Sequence, residues 1–193
     1  MTDFYDLLEQ RDPALREAAL LAALPDHIAQ AQRRTSAFAE SLAGADAAAI
    51  TSRAALASLP VLRKHELLER QQTLRADPGQ HDPFGGFSAI GWRGLPAGRG
   101  ARRVFQSPGP IYEAEGHGSD YWRMARAIFA ARFRKGDLAH CSFNDHLTSA
   151  GSQMESGAQA VGCTTFAGRI GNPERQLQVP RCCWWPAQRR QGD

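Results

Sequence analysis

The stretch Gly136–Phe166, GDLAHCSFNDHLTSAGSQMESGAQAVGCTTF, decides the architecture. After the Gly-Asp turn, Asp137–Phe143 is a short apolar run suited to a strand. Gly151–Val161 is rich in small residues at helical spacing and is stopped by Gly162, and Cys163–Phe166 is β-branched and aromatic again. Strand, helix and strand joined by short loops predict parallel neighbours with a right-handed crossover. Ligands of such sheets bind beyond the carboxyl ends of the strands. That directs attention to Phe143–Leu147 and Phe166–Gly171.

Working upstream, Ser119–Arg134 reads as a helix, with Tyr121, Trp122, Ala125, Ile128, Phe129 and Phe133 largely on one face and Lys135-Gly136 at its end. Before it lie two more strand candidates, Phe87–Gly91 and Arg103–Gln106, separated by the loop WRGLPAGRGA. The segment ADPGQHDPFGG, residues 76–86, consists of breakers and polar residues and predicts an exposed connection. The expected fold class is therefore α/β: a helical N-terminal segment over residues 1–75, then an incomplete βαβαβ parallel-sheet portion over 76–178.

Within the N-terminal segment, Asp12-Pro13 forms a helix start in which Asp caps and Pro takes the first turn. Leu15, Ala18, Ala19 and Leu24 follow at helical spacing until Pro25, which is expected to interrupt. A second helix carries Ile28 and Ala31 toward Arg34, a short turn holds Phe38 and Leu42, Thr51 or Ser52 opens a third segment, and LPVLRKHELLERQ supplies a fourth.

Composition narrows the function classes. The chain has 193 residues, 42% hydrophobic and 22% charged, with a formal net charge of +3. That suffices for one ordinary core. The arginines are scattered among acids, which argues against a nucleic-acid partner. No apolar run approaches the roughly 20 residues of a membrane span, and the acidic, amphipathic first residues are unlike a secretory signal. No membrane association and a cytoplasmic location are expected. The cysteines at 141, 163, 182 and 183 form no CxxC pair and have no His at ligand spacing, so no metal site is expected. Cys141 has no activating neighbour in the sequence, and a small core residue explains it.

Three pieces, GDLAHCSF, GCTTFAG and the octamer GNPERQLQ at Gly171–Gln178, resemble the phenylacetate-CoA ligase branch of the adenylate-forming ligases. LPVLRKHELLER and DPFGGF are similar to the lead-in of that family. The likeness runs from about Phe4 to Gln178, and the octamer is its most specific part. It implies the joining of a carboxylate to AMP from ATP with transfer of the acyl group to coenzyme A, so ATP, Mg and coenzyme A are the implied cofactors and a small carboxylic acid the implied partner. It places RVFQSPGPIYEAEG, starting at Arg103, at the family's phosphate loop. There Ser107 and Gly109 persist, but Pro108 and Pro110 each lack a backbone donor, Glu113 and Glu115 add negative charge, and no lysine occurs between Lys64 and Lys135. It also places Phe143, His146 and Leu147 at the acyl-pocket turn, where Asn144 and Asp145 disfavour an apolar aryl substrate.

The resemblance ends at Gln178. The following VPRCCWWPAQRRQGD shows no regular period and has the residue mixture of a changed reading frame in a GC-rich gene, so residues 179–193 are expected to be an aberrant, disordered tail. The family's adenine-gripping motif and catalytic lysine are not found downstream, so no catalytic residue is assigned. The expected function is that of a truncated, inactive N-terminal part of an acyl- or aryl-CoA ligase. The alternative is a non-catalytic module that binds a carboxylate or docks a subunit, partnered by a complementing C-terminal portion or by self-association.

Overall fold

The computed structural model describes residues 4–79, 82–92, 99–144, 146–171 and 173–183, the last five as backbone alone. The chain divides into two compact units, residues 1–118 and 119–193.

The first unit begins with helices whose starts follow local chemistry. The Asp12 carboxylate accepts from the Ala14 and Leu15 N–H groups at 2.9 and 3.1 Å, opening α1 (Pro13–Arg34). This helix runs on through Pro25, which the sequence reading expected to end it. A proline costs a helix one hydrogen bond and some steric clash, and here both turns around it continue to Thr35, whose N–H and hydroxyl both donate to Ala31 O. Next come α2 (Ser36–Ser41), a 3-10 turn at Ala47–Ala49 capped by Asp46, and α3 (Arg53–Ala57), capped by Ser52 as expected. In α4 (Lys64–Ala76), the Glu66 carboxylate reaches back to the Arg63 N–H at 2.7 Å. Ile28, Leu42 and Ile50 form the buried centre, with Leu24, Phe38 and Leu59 packed against it. Gln32 Nε2 donates to Leu42 O and Ala45 O, tying α1 to the loop after α2.

The DPFGGF segment is not a free connection. Asp82 accepts from the Phe84 and Gly86 N–H groups, Gly86 O accepts from the Ala37 N–H, and Gly85 O accepts from Arg70 Nε. Phe87 meets Phe38 edge-on at 5.4 Å. Phe87–Gly91 is not a strand. Among the described residues it pairs only through one bridge, between Gly91 and Gly100.

The first regular strand, β1 (Arg103–Ser107), pairs antiparallel with β2 (Ile111–Glu115), in register from Arg103 opposite Glu115 to Ser107 opposite Ile111. β2 is not among the strands that the sequence pattern predicts. α4 joins this hairpin through Gln71, which is 2% exposed. Its Nε2 donates to Tyr112 O at 3.0 Å and its Oε1 accepts from the Tyr112 N–H at 2.8 Å. One amide side chain thus replaces a neighbouring strand for both main-chain groups of Tyr112.

The second unit carries the α/β arrangement read from Gly136–Phe166. β3 (Leu138–Cys141) and β4 (Thr164–Ala167) are parallel, with Leu138 opposite Thr164, and α6 (Ala150–Val161) is their crossover. Gly162, at φ 95°, closes α6 in the left-handed conformation that glycine adopts without penalty. The helix expected over Ser119–Arg134 is shorter: α5 spans Ala125–Ala130. Arg123 at φ 60° and Arg132 at φ 75° interrupt helical geometry on both sides, and the Asp120 carboxylate accepts from the Met124 and Ala125 N–H groups. Ala139, Ala158 and Cys163 form the core, with Ile128, Phe133 and Val161 against it. α5 and α6 approach closely at Gly157, where an added Cβ would lie 2.7 Å from Met124 Cβ. Finally α7 (Pro173–Cys183) continues the helix into the segment where no period was legible, and residues 184–193 lie outside the described residues.

Candidate functional site

Two places bear on the expected chemistry, one in each unit. The first is the hairpin turn. With Ser107 opposite Ile111, the loop consists of Pro108, Gly109 and Pro110, all exposed. Gly109 has φ 143°, a region that glycine alone enters freely. The two prolines leave the Gly109 N–H as the loop's sole main-chain donor. The Ser107 hydroxyl turns back toward Ile111 O at 3.4 Å. Gln106 Nε2 donates to the Tyr112 hydroxyl at 3.1 Å across the strands beside the turn.

Glu115 does not stand at this turn. It lies at the far end of β2, four residues or about 13 Å along the strand from Ile111, opposite Arg103. Its side chain is 2% exposed, with Arg102 Nη1 at 4.0 Å from its Oε1. Repulsion of a phosphate by Glu115 therefore drops out of the account of the turn, and the missing donors remain.

The second place is the carboxyl end of β3 and β4. Phe143, His146 and Leu147 lie on the single loop that leaves β3, so the structure puts all three on the side where a parallel pair presents ligands. Phe143 is 51% and Leu147 59% exposed. Asn144 organises the loop: its Oδ1 accepts from the His146 N–H at 2.9 Å, and its main-chain carbonyl accepts from Thr148 Oγ1 and the Gly151 N–H. Asp145 lies outside the described residues. From β4, the Arg169 N–H donates to Cys141 O, and Gln176 Nε2 reaches from α7 to Arg169 O and Gly171 O at 2.6 and 2.7 Å. The GNPERQLQ octamer thus contains its own clamp on the loop that follows β4.

His140 was not singled out from sequence. Its Nε2 is buried with no hydrogen-bond partner among the described residues, its ring meets Phe166 edge-on at 5.4 Å, and an added Cβ at Gly168 would run into the ring. The signal available was strand alternation, which puts His140 on the face of Leu138, one residue before the strand ends. Cys141 has a thiol pushed up from the ordinary value by burial, then by Glu155 and Cys163, so it stays protonated at neutral pH. Burial, with Asp137, does the same to Cys163. Among the described residues no three His, Cys, Asp or Glu side chains gather as a metal ligand set, and no helix is long and apolar enough to cross a membrane.

No family profile matches the chain. A stretch of 58 residues, 30% of this chain, is 40% identical to the phenylacetate-coenzyme A ligase of Pseudomonas putida and covers 13% of that protein. Among solved structures, 2-hydroxyisobutyryl-CoA ligase in the postadenylation state superposes with a TM-score of 0.76 at 19% identity, over 93% of this chain and 37% of that one. The same ligase with 2-HIB-AMP and CoA in the thioesterification state gives 0.70 at 19% identity, over 88% and 35%. The likeness to adenylate-forming ligases therefore holds in sequence over the short stretch and in fold over most of the chain. The chain spans about a third of the length of the solved ligases it matches.

Proposed function

We propose that this chain is a portion of an acid-CoA ligase scaffold of the phenylacetate-CoA ligase type, and that by itself it does not form an acyl-adenylate. The similarity to phenylacetate-coenzyme A ligase and to the 2-hydroxyisobutyryl-CoA ligase fold supports the scaffold. The inactivity rests on one observation: the Ser107–Ile111 turn does not fit a triphosphate. Anion sites built from loops work through convergent N–H donors and a cation. Here two of three loop residues are prolines, and Ser107 faces back to its own hairpin. The ATP and Mg that the sequence resemblance implies would need donors and a cation that this turn does not offer. Carboxylate-dependent exchange of pyrophosphate into ATP, measured over a panel of carboxylic acids with magnesium, is expected to stay at the no-enzyme level. Exchange that depends on the added acid would refute this.

A second reading keeps the carboxylate without the adenylation. Phe143 and Leu147 on the β3 loop, with the Gln176 clamp on the loop after β4, form a preset end of the parallel pair suited to a small acid or a docked subunit. In an NMR titration with phenylacetate, this reading requires saturable shifts at Phe143, His146 and Leu147. Co-purification with a separately expressed C-terminal portion of such a ligase would favour the docking form.

A further inference from the structure

The helical unit holds a groove whose lining shares no residue with the hairpin turn or the β3 loop. It has a volume of about 840 Å3, lies among α1 to α4 and is bordered by the extended link through Pro60, Val61 and Leu62. Ile28, Ala37 and Leu42 form its buried floor. Phe38, Leu59 and Phe87 line its walls, and Val61, 77% exposed, stands at its rim. This is the size and apolar character of a small-molecule site.

The polar groups decide the charge of an occupant. Arg70 is the one cation on the lining, and all three of its donor nitrogens are committed: Nη1 and Nη2 to the Glu40 carboxylate at 2.7 and 2.8 Å, and Nε to Gly85 O at 2.8 Å. Its positive charge is already met by Glu40, which is neutralised in the same pair. Thr73 Oγ1 donates to Glu69 O on its own helix. What remains on the lining is the Ser41 hydroxyl and two carboxylates: Glu66, with one oxygen taken by the Arg63 N–H, and Glu69, which enters no ion pair among the described residues. An apolar trough edged by carboxylates in excess of cations matches an apolar molecule with a positively charged, donating head. We propose that this groove binds a small aliphatic or aromatic ammonium compound, its apolar body on the Ile28–Leu42 floor and its N–H groups on Glu69 and Glu66. Its charge is opposite to that of the carboxylic acid in the proposed function, so the two readings stand or fall separately.

The test uses three probes of one chain length on the full chain: n-octylammonium, n-octanol and n-octanoate, titrated at pH 7 and followed by NMR shifts and calorimetry. Octylammonium should saturate with one molecule per chain, shift Phe38, Val61 and Phe87, and bind about two- to fivefold tighter than octanol, the scale of one exposed ion pair. Octanoate should bind more weakly than octanol. In Glu69→Gln the ammonium should fall toward the octanol affinity while octanol is unchanged, and Ser41→Trp, which fills the groove, should weaken both. Octanoate binding as well as octylammonium, an unchanged preference in Glu69→Gln, shifts confined to residues 119–178, or no saturable binding of any probe would overturn the proposal. So would a concentration-dependent dimer dissolved equally by octanol, since the groove would then be a self-association face.

Discussion

Replacing Gln71 tests whether one side chain holds the hairpin to the helices. In Gln71→Leu the shape is nearly kept, but the Tyr112 N–H and carbonyl lose their partners at 2.8 and 3.0 Å. A buried main-chain group left unpaired costs about 1–3 kcal/mol, so two cost about 4. Greater apolar burial by leucine returns roughly 1 kcal/mol, leaving a net loss of about 3 kcal/mol, a large share of a stability of roughly 5–15. Urea unfolding followed by circular dichroism would show it as a fall in midpoint, and the Tyr112 amide should lose its exchange protection. Gln71→Glu adds an opposite signature. At 2% exposure the burial that raises a carboxyl's pKa outweighs the Arg75 guanidinium, whose Nη1 lies 3.5 Å from Gln71 Oε1, and the neutral acid supplies the donor to Tyr112 O that the carboxylate lacks. A group whose folded pKa is raised contributes stability present at low pH and lost as pH rises through that pKa, so this variant should strengthen on mild acidification. A loss below about 1 kcal/mol in Gln71→Leu, with Tyr112 exchange unchanged, would refute the strand-replacement role.

Gly157→Ala should destabilise the second unit by about 1–3 kcal/mol, because the new methyl meets Met124 across the α5–α6 contact, and thermal melting of that variant checks it. Glu40 has its carboxyl held below the ordinary value of 4.5 by its hydrogen bonds and charge pairing with Arg70. Its contribution is therefore present above that value and lost as pH falls through the depressed pKa, so Glu40→Gln should flatten the urea midpoint against pH below about 4.5. Pro108→Ser with Pro110→Thr returns two N–H donors to the turn, and pyrophosphate binding followed by 31P NMR should strengthen relative to the parent chain.

What was legible in sequence was what local chemistry determines. Asp12-Pro13 and Ser52 announce helix starts because a cap needs only its own next three residues. The α6 and β4 run was readable because small-residue helix, glycine stop and β-branched strand occur in one continuous stretch. The misses came where a partner far along the chain decides. Ile111–Glu115 becomes a strand because Arg103–Ser107 lies opposite and Gln71, 41 residues earlier, completes the edge. The shortening of α5 depends on Arg123 and Arg132 adopting positive φ, which the spacing of Ile128, Phe129 and Phe133 does not reveal. His140 escaped notice because its isolation is a property of Phe166 and Gly168 around it, not of its own neighbours.

The hairpin turn shows how one set of residues can serve a scaffold and oppose a site. At the tip of a three-residue loop no ladder bond is required from residues 108 and 110, so proline is admissible there and restricts the unfolded chain, which stabilises by about 0.4–1 kcal/mol where the native φ suits it. An anion site wants the reverse: free N–H groups converging on one point, which are the groups proline removes. The Ser107–Ile111 pairing survives either choice, because the register is fixed by Phe105 and Ala114 buried along the strands rather than by the tip. Fold similarity to an adenylating enzyme is therefore compatible with the proposed failure of this turn to hold a nucleotide. The fold depends on the buried face of the hairpin, and the proposed loss of phosphate binding on three exposed residues that the buried face does not constrain.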